Sequence, residues 1–154
     1  MMKIEITDAT ISLVKKFENF SSAIYLCSAG KPTIGYGHVV KINEIAKYKN
    51  GISPKEADDL LIQDLQDSVN CLKKLIKVNL TANQISALIS LVFNVGCHEF
   101  YTSKALILIN ENNLEKAKIE LFDSKIGFVR IGNKIIQGLV NRRALESKLW
   151  DLHV

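Results

Sequence analysis

No stretch of this sequence is apolar for long enough to span a membrane, and charges interrupt the N-terminal MMKIEITDATISLVKKF before a signal-peptide core can form. The expectation is a chain made in the cytoplasm, without stable membrane insertion, that cannot use the usual secretory route unaided. Closely spaced cysteines are also lacking. Cys27, Cys71 and Cys97 form no CxxC and no Cys/His cluster, so no zinc site is expected. An odd count predicts a reducing compartment rather than a disulfide framework, with Cys71 and Cys97 as small buried hydrophobes. Strong charge bias is missing too. A net charge of +4 favours a polyanionic partner but does not choose among nucleic acid, an anionic membrane and a bacterial wall polymer. The chain has no internal repeat, linker or low-complexity stretch, which argues for one domain over residues 1–154.

What is present is an ordinary globular balance, 47% apolar and 23% charged, in a chain long enough to bury a core without staples. Thr7 or Asp8 caps a short helix whose apolar face is Ile11, Val14 and Phe17, and Glu18 falls at its end. From Ala23 to Val40, β-formers alternate with turn chemistry and glycine, which predicts a small antiparallel hairpin or meander. Ser53, Pro54 and Glu56 form a capping box with proline at the first helical position. The stripe Ala57, Leu60, Leu61, Leu65, Val69, Leu72 and Ile76 then predicts a helix about 36 Å long to Lys77, able to join two lobes. Thr81 and Gln84 make a second capping box before QISALISLVFNV, a helix apolar almost all round that marks the centre of a C-terminal core. Helices near 103–110 and 114–122 follow, with Asn113 as the cap between them. An irregular connection over 123–137 and a last helix over 138–152 complete the chain. The fold class is α+β and mostly helical, with the small sheet confined to the N-terminal lobe (about 8–53), a connecting helix (about 54–77) and a helical C-terminal lobe (about 78–154).

The chemistry concentrates between Phe17 and His38, FENFSSAIYLCSAGKPTIGYGH. Glu18, at a helix end beside Phe17 and Phe20, reads on its own as a solvated surface glutamate, or as a general acid if other groups support it. An acid facing a second polar group across a gap is the arrangement that splits a glycosidic bond with an activated water. Here the second group is the thiol of Cys27, which acts as a base only if its surroundings favour the thiolate. Thr33 can hold the water. His38 has no second histidine nearby to suggest a metal, so its expected role is to brace the hairpin, paired with an acid. Arg142 and Arg143 read either as a solvated basic face or as a partner folded back onto Glu18.

These residues resemble a known family. Glu18, Cys27 and Thr33 match the pattern Glu, eight residues, Asp or Cys, five residues, Thr of the phage-type lysozymes, glycoside hydrolase family 24. TIGYGH (33–38), the capped helix from Pro54, TANQISALISLVFNVG (81–96) and GLVNRRALESKLW (138–150) are similar to four further stretches of that family, in the same order. Gln137 departs from a proline common before the last of them. The resemblance implies a two-lobed lysozyme fold and a muramidase (EC 3.2.1.17) cutting the β-1,4 bond between N-acetylmuramic acid and N-acetylglucosamine in peptidoglycan. It implies Glu18 as general acid and Cys27 in the position most members fill with aspartate, either as base, with inversion, or as nucleophile, with retention. Thr33 would position the water, His38 brace the site, Phe93 and Asn94 line the cleft, and Arg142 partner Glu18. No cofactor or metal and no nucleic acid are implied. The expected protein is a monomeric endolysin that waits in the host cytoplasm for a holin and then acts on peptidoglycan in the periplasm. A wall-degrading toxin and a non-catalytic peptidoglycan-binding relic are the competing readings.

Overall fold

The computed structural model describes residues 2–152. Helix α1 (Asp8–Phe17) starts where Thr7 accepts from the Thr10 N–H and ends where Glu18 turns extended. Three short antiparallel strands follow: β1 (Ser21–Leu26), β2 (Pro32–Gly35) and β3 (His38–Val39), in spatial order β1-β2-β3. Tyr25 lies opposite Thr33, and Ile34 opposite His38. Between Ser21 and Tyr25 the register shifts, so β1 bulges. A 3₁₀ turn (Ile42–Glu44) leads into α2 (Ile45–Tyr48).

Helix α3 (Pro54–Leu75) begins at the expected capping box, in which Ser53 and Glu56 bond each other's backbone. It stops two residues short of Lys77. Asn110 ends it from outside: its amide donates to the Leu75 carbonyl at 2.9 Å and accepts from the Lys77 N–H at 2.8 Å, occupying groups that a further turn would use. Helix α4 (Ala82–Val95) has the predicted Thr81/Gln84 box and is buried on nearly every face. Then come α5 (Cys97–Tyr101), α6 (Lys104–Asn110), α7 (Leu114–Phe122) and α8 (Gln137–Trp150). Asn113 occupies the cap position of α7, but its side chain makes no capping hydrogen bond.

Two expectations are corrected, and one element is new. The connection over 123–137 is not wholly irregular: Arg130–Ile131 (β4) and Lys134–Ile135 (β5) pair as a second antiparallel ribbon, so sheet is not confined to the first lobe. Gly132, at φ +61°, supplies the left-handed conformation the two-residue turn requires. Helix α5 was not anticipated. Cys71 and Cys97 are not two buried thiols but a disulfide, with Cα atoms 5.9 Å apart, tying α3 to the start of α5. Cys71 is buried and Cys97 is exposed.

Apolar packing divides into two clusters. The smaller gathers Ile34, Val40, Tyr48 and Ile52 around Ala57 and Leu60 of α3. The larger surrounds α4 and takes Leu61, Leu65, Val69 and Leu72 from the rest of α3. One helix therefore contributes to both cores, which makes it the rigid member between them. Although α1 comes first in sequence, Val14 is buried in the larger cluster, and the helix packs on α4 and α8. This sends Glu18, at its end, toward α8. Among the described residues no helix is long and apolar enough to cross a membrane.

Candidate active site

Glu18 is the C-cap of α1, its N–H bonded to the Val14 carbonyl. Its side chain is 26% exposed, and Oε1 accepts from Arg142 Nη1 at 3.2 Å. The guanidinium of Arg142 lies 4.8 Å from the centroid of the Phe17 ring, a cation–π contact that fixes the plane of the group. From the other side Gly37 closes on the carboxylate. A Cβ there would stand 2.8 Å from Glu18 Oε2 and displace the carboxylate, and the residue has φ +79°, a backbone conformation that favours glycine. The TIGYGH stretch thus brings a turn against the acid.

Cys27 lies just past β1, in the turn to β2. Its N–H donates to the Lys31 carbonyl at 3.0 Å, and its carbonyl accepts from the Gly30 N–H at 2.8 Å. The sulfur is half-buried and unpaired. Hydrogen bonds from the backbone of Lys31 and then Ala29, followed by the Thr33 hydroxyl, hold the thiol below its ordinary value, so the thiolate is favoured. Thr33, opposite Tyr25 in the sheet, is buried and donates to the Lys31 carbonyl at 2.9 Å. A hydroxyl has one proton. Turned to Lys31, Thr33 can only accept from the thiol; turned to the sulfur, it stabilises the thiolate.

His38 is held at both ring nitrogens. Nδ1 is 2.8 Å from Asp64 Oδ2 on α3, and Nε2 is 3.3 Å from Glu44 Oε1. An ionised carboxylate only accepts, so satisfying both contacts takes two N–H groups or one protonated carboxyl. Burial pushes the Asp64 carboxyl up, and His38 opposes that rise. His38 is thus paired with two acids, and the contact with Asp64 ties β3 to α3. Neither partner was identifiable from sequence: Asp64 is one of several acids on the α3 surface stripe, and Glu44 lies in a short turn.

A cleft of about 590 Å³ opens beside this brace, lined among others by Gly37, His38, Asp64, Phe93 and Cys97. Phe93 lines this cleft. Asn94 lines a neighbouring recess of about 520 Å³ with Phe128, Arg130 and Leu139. Glu18, Cys27 and Thr33 lie outside the lining of both concavities; Gly37, which touches Glu18, is the link to the first. Arg142 and Arg143 are not a solvated face. Both are buried, and Arg143 is paired with the buried Glu146, which lies in the family-like stretch GLVNRRALESKLW but had no role assigned there. Among the described residues no group of His, Cys, Asp and Glu is arranged to hold a metal.

The chain is similar to known proteins over nearly its whole length. The chain is 35% identical to an endolysin of Bacillus phage PZA, over 96% of its own length and 55% of that protein's. It is 32% identical to an endolysin of Acyrthosiphon pisum secondary endosymbiont phage 1, over 96% and 99% of the two chains. It thus spans about half the length of the Bacillus phage relative and nearly all of the other. The muramidase domain of SpmX from Asticaccaulis excentricus has the same fold, with a TM-score of 0.81 at 28% identity over 99% of this chain and 100% of that one. A P22 lysozyme mutant superposes equally well, with a TM-score of 0.81 at 29% identity over 96% and 99%. The family model described as phage lysozyme matches residues 15–146, and the chain belongs to that family.

Proposed function

We propose that this chain is an endolysin muramidase of glycoside hydrolase family 24 (EC 3.2.1.17), hydrolysing the β-1,4 bond between N-acetylmuramic acid and N-acetylglucosamine in peptidoglycan. The observation that carries the reading is the pair of polar centres around the first sheet: a carboxyl gripped by Arg142 and Gly37, and a thiol that backbone N–H groups favour as thiolate. Glu18 gives its proton to the glycosidic oxygen as the bond to the anomeric carbon breaks. The Cys27 thiolate takes a proton from water, and the resulting hydroxide adds to the opposite face of the anomeric carbon, so configuration inverts. The Thr33 hydroxyl, beside the sulfur, orients that water. His38, held by Asp64 and Glu44, keeps β3 and the Gly37 turn in place, and Phe93 offers an apolar wall to a sugar face.

In the cell the protein acts as a monomer on periplasmic peptidoglycan after a holin has opened the membrane. Turbidity loss of peptidoglycan suspensions tests the assignment. The wild type clears them, and Glu18→Gln lowers the rate by about a hundredfold or more. Clearing that survives the substitution removes Glu18 as the acid; no clearing by the folded wild type removes the muramidase. Proton NMR of the newly formed reducing end distinguishes a base at Cys27, which gives the inverted anomer, from a nucleophile, which gives the retained one.

A further inference from the structure

Arg142 grips Glu18, and the structure shows what fixes Arg142. Two adjacent arginines in the first turns of α8 are both buried, Arg142 to 5% exposure and Arg143 to 0%. Side by side and out of water they repel each other and lose hydration. Glu146, with no exposed surface, is the counter-charge they share. Its Oε1 accepts from Arg143 Nε at 2.6 Å, and its Oε2 accepts from Arg143 Nη2 at 3.0 Å and from Ser90 Oγ of α4 at 2.6 Å. Arg143 Nη1 also donates to the Phe128 carbonyl. Arg142 Nε stands 3.9 Å from the same Oε2. Among the described residues, the carboxylates within 4.0 Å of Arg142 are Glu18 and Glu146, and its Nε and Nη2 make no hydrogen bond. A guanidinium with so few partners is placed by charge and packing: Phe17 on its face, Glu18 at one end and Glu146 at the other.

We propose that Glu146, anchored by Arg143 and Ser90, is a positioning residue for the acid, acting through Arg142 to hold the guanidinium against Glu18. The inference rests on the muramidase reading for its kinetic consequence, but its structural content is independent of activity.

Glu146→Gln alone would strand the buried charge of Arg143, so the pair is better removed together. Arg143→Met/Glu146→Met leaves net charge unchanged and fills similar volume, a replacement that is often neutral for stability. Two readouts are taken on the wild type, this double variant, Arg142→Met and the triple variant: kcat and KM for peptidoglycan cleavage, and the pH titration of the Glu18 side-chain carboxyl by carbon-13 NMR. The expected result is a kcat lower by about ten- to a hundredfold with KM within about twofold, and a displaced Glu18 titration. In the Arg142→Met background both effects of the double variant vanish. A folded double variant with wild-type kcat and wild-type titration overturns the proposal, as does an effect that persists without Arg142. Should the double variant not fold, Ser90→Ala removes the anchor and keeps both charges. It then shifts kcat and the titration in the same direction, and unchanged values overturn the proposal. If the wild type cleaves nothing, the muramidase reading fails while the titration still decides the role of Glu146.

Discussion

At the scale of single residues, the proposed reaction takes the Cys27 thiol as its base where such chemistry more often uses a carboxylate, and the surroundings of that thiol bear on how it can serve. Backbone N–H groups around Cys27 do for sulfur what they do for an oxyanion: they meet negative charge with fixed dipoles and favour the ionised form. The working form of a base is the deprotonated one, so activity rises with pH through the thiol's titration, and depressing that titration extends activity downward. The sign gives a prediction. Cys27→Asp replaces the thiol by a group that ionises near pH 4, so the acid limb of kcat/KM moves down to the carboxylate range while activity at neutral pH is largely kept. Cys27→Ala has no base and loses about a hundredfold or more. An acid limb that stays in place in Cys27→Asp means that another group sets it. Glu18, Cys27 and Thr33 stood out in the sequence because they match the Glu, eight residues, Asp or Cys, five residues, Thr pattern of the phage-type lysozymes; residue types and intervals alone say little about where side chains meet in space. The burial of Glu146 was not legible, although the residue lies in the family-like stretch GLVNRRALESKLW. A glutamate in a helix that also carries Arg142, Arg143 and Lys148 reads as solvated charge, and only packing against α4 shows it to be buried.

At the scale of elements, legibility follows the strength of the local code. The starts of α3 and α4 were readable because Ser53 with Glu56, and Thr81 with Gln84, each satisfy orphan N–H groups within four residues of sequence. Ribbon β4–β5 was not readable, because two residues a side carry no period and the ribbon depends on a single turn. Where α3 ends was also hidden, since the residue that finishes it, Asn110, is 35 positions from the carbonyl it bonds. The β2–β3 turn lies between these cases: its glycines announce an unusual backbone but not what approaches it. The structure shows Gly37 in the left-handed region with the Glu18 carboxylate where a Cβ would go. Gly37→Ala therefore costs about 1 kcal/mol or somewhat more in backbone strain and pushes Glu18 off Arg142. The expected outcome is a modest fall in melting temperature, a few degrees, with a loss of kcat of about a hundredfold. Near-wild-type turnover in this variant would mean that the acid does not depend on this turn for its place.

At the scale of the molecule, two apolar cores share α3, and the cleft opens where that helix passes from one to the other. The brace of His38 with Asp64 fastens the first sheet to this helix on one wall of the cleft. The Cys71–Cys97 disulfide fastens the corner after α4 to the same helix on the other wall. Sequence could not reveal the bond, because 26 residues of separation and an odd cysteine count point nowhere, and only the packing of α5 against α3 brings the sulfurs together. Its physical consequence follows from loop closure. Joining residues 26 apart removes freedom from the unfolded chain and stabilises the fold by roughly 3 kcal/mol, or about 6–12 °C in melting temperature for a protein of this size. Melting followed by circular dichroism, with and without a dithiol reductant, measures this directly. The oxidised protein melts higher by that margin, Cys71→Ser/Cys97→Ser melts like the reduced protein and no longer responds to reductant, and Cys27→Ser keeps the full response. A wild type indifferent to reductant while its thiols titrate as free would show that the bond adds nothing to the fold. A response that disappears in Cys27→Ser would instead place the reducible bond at Cys27.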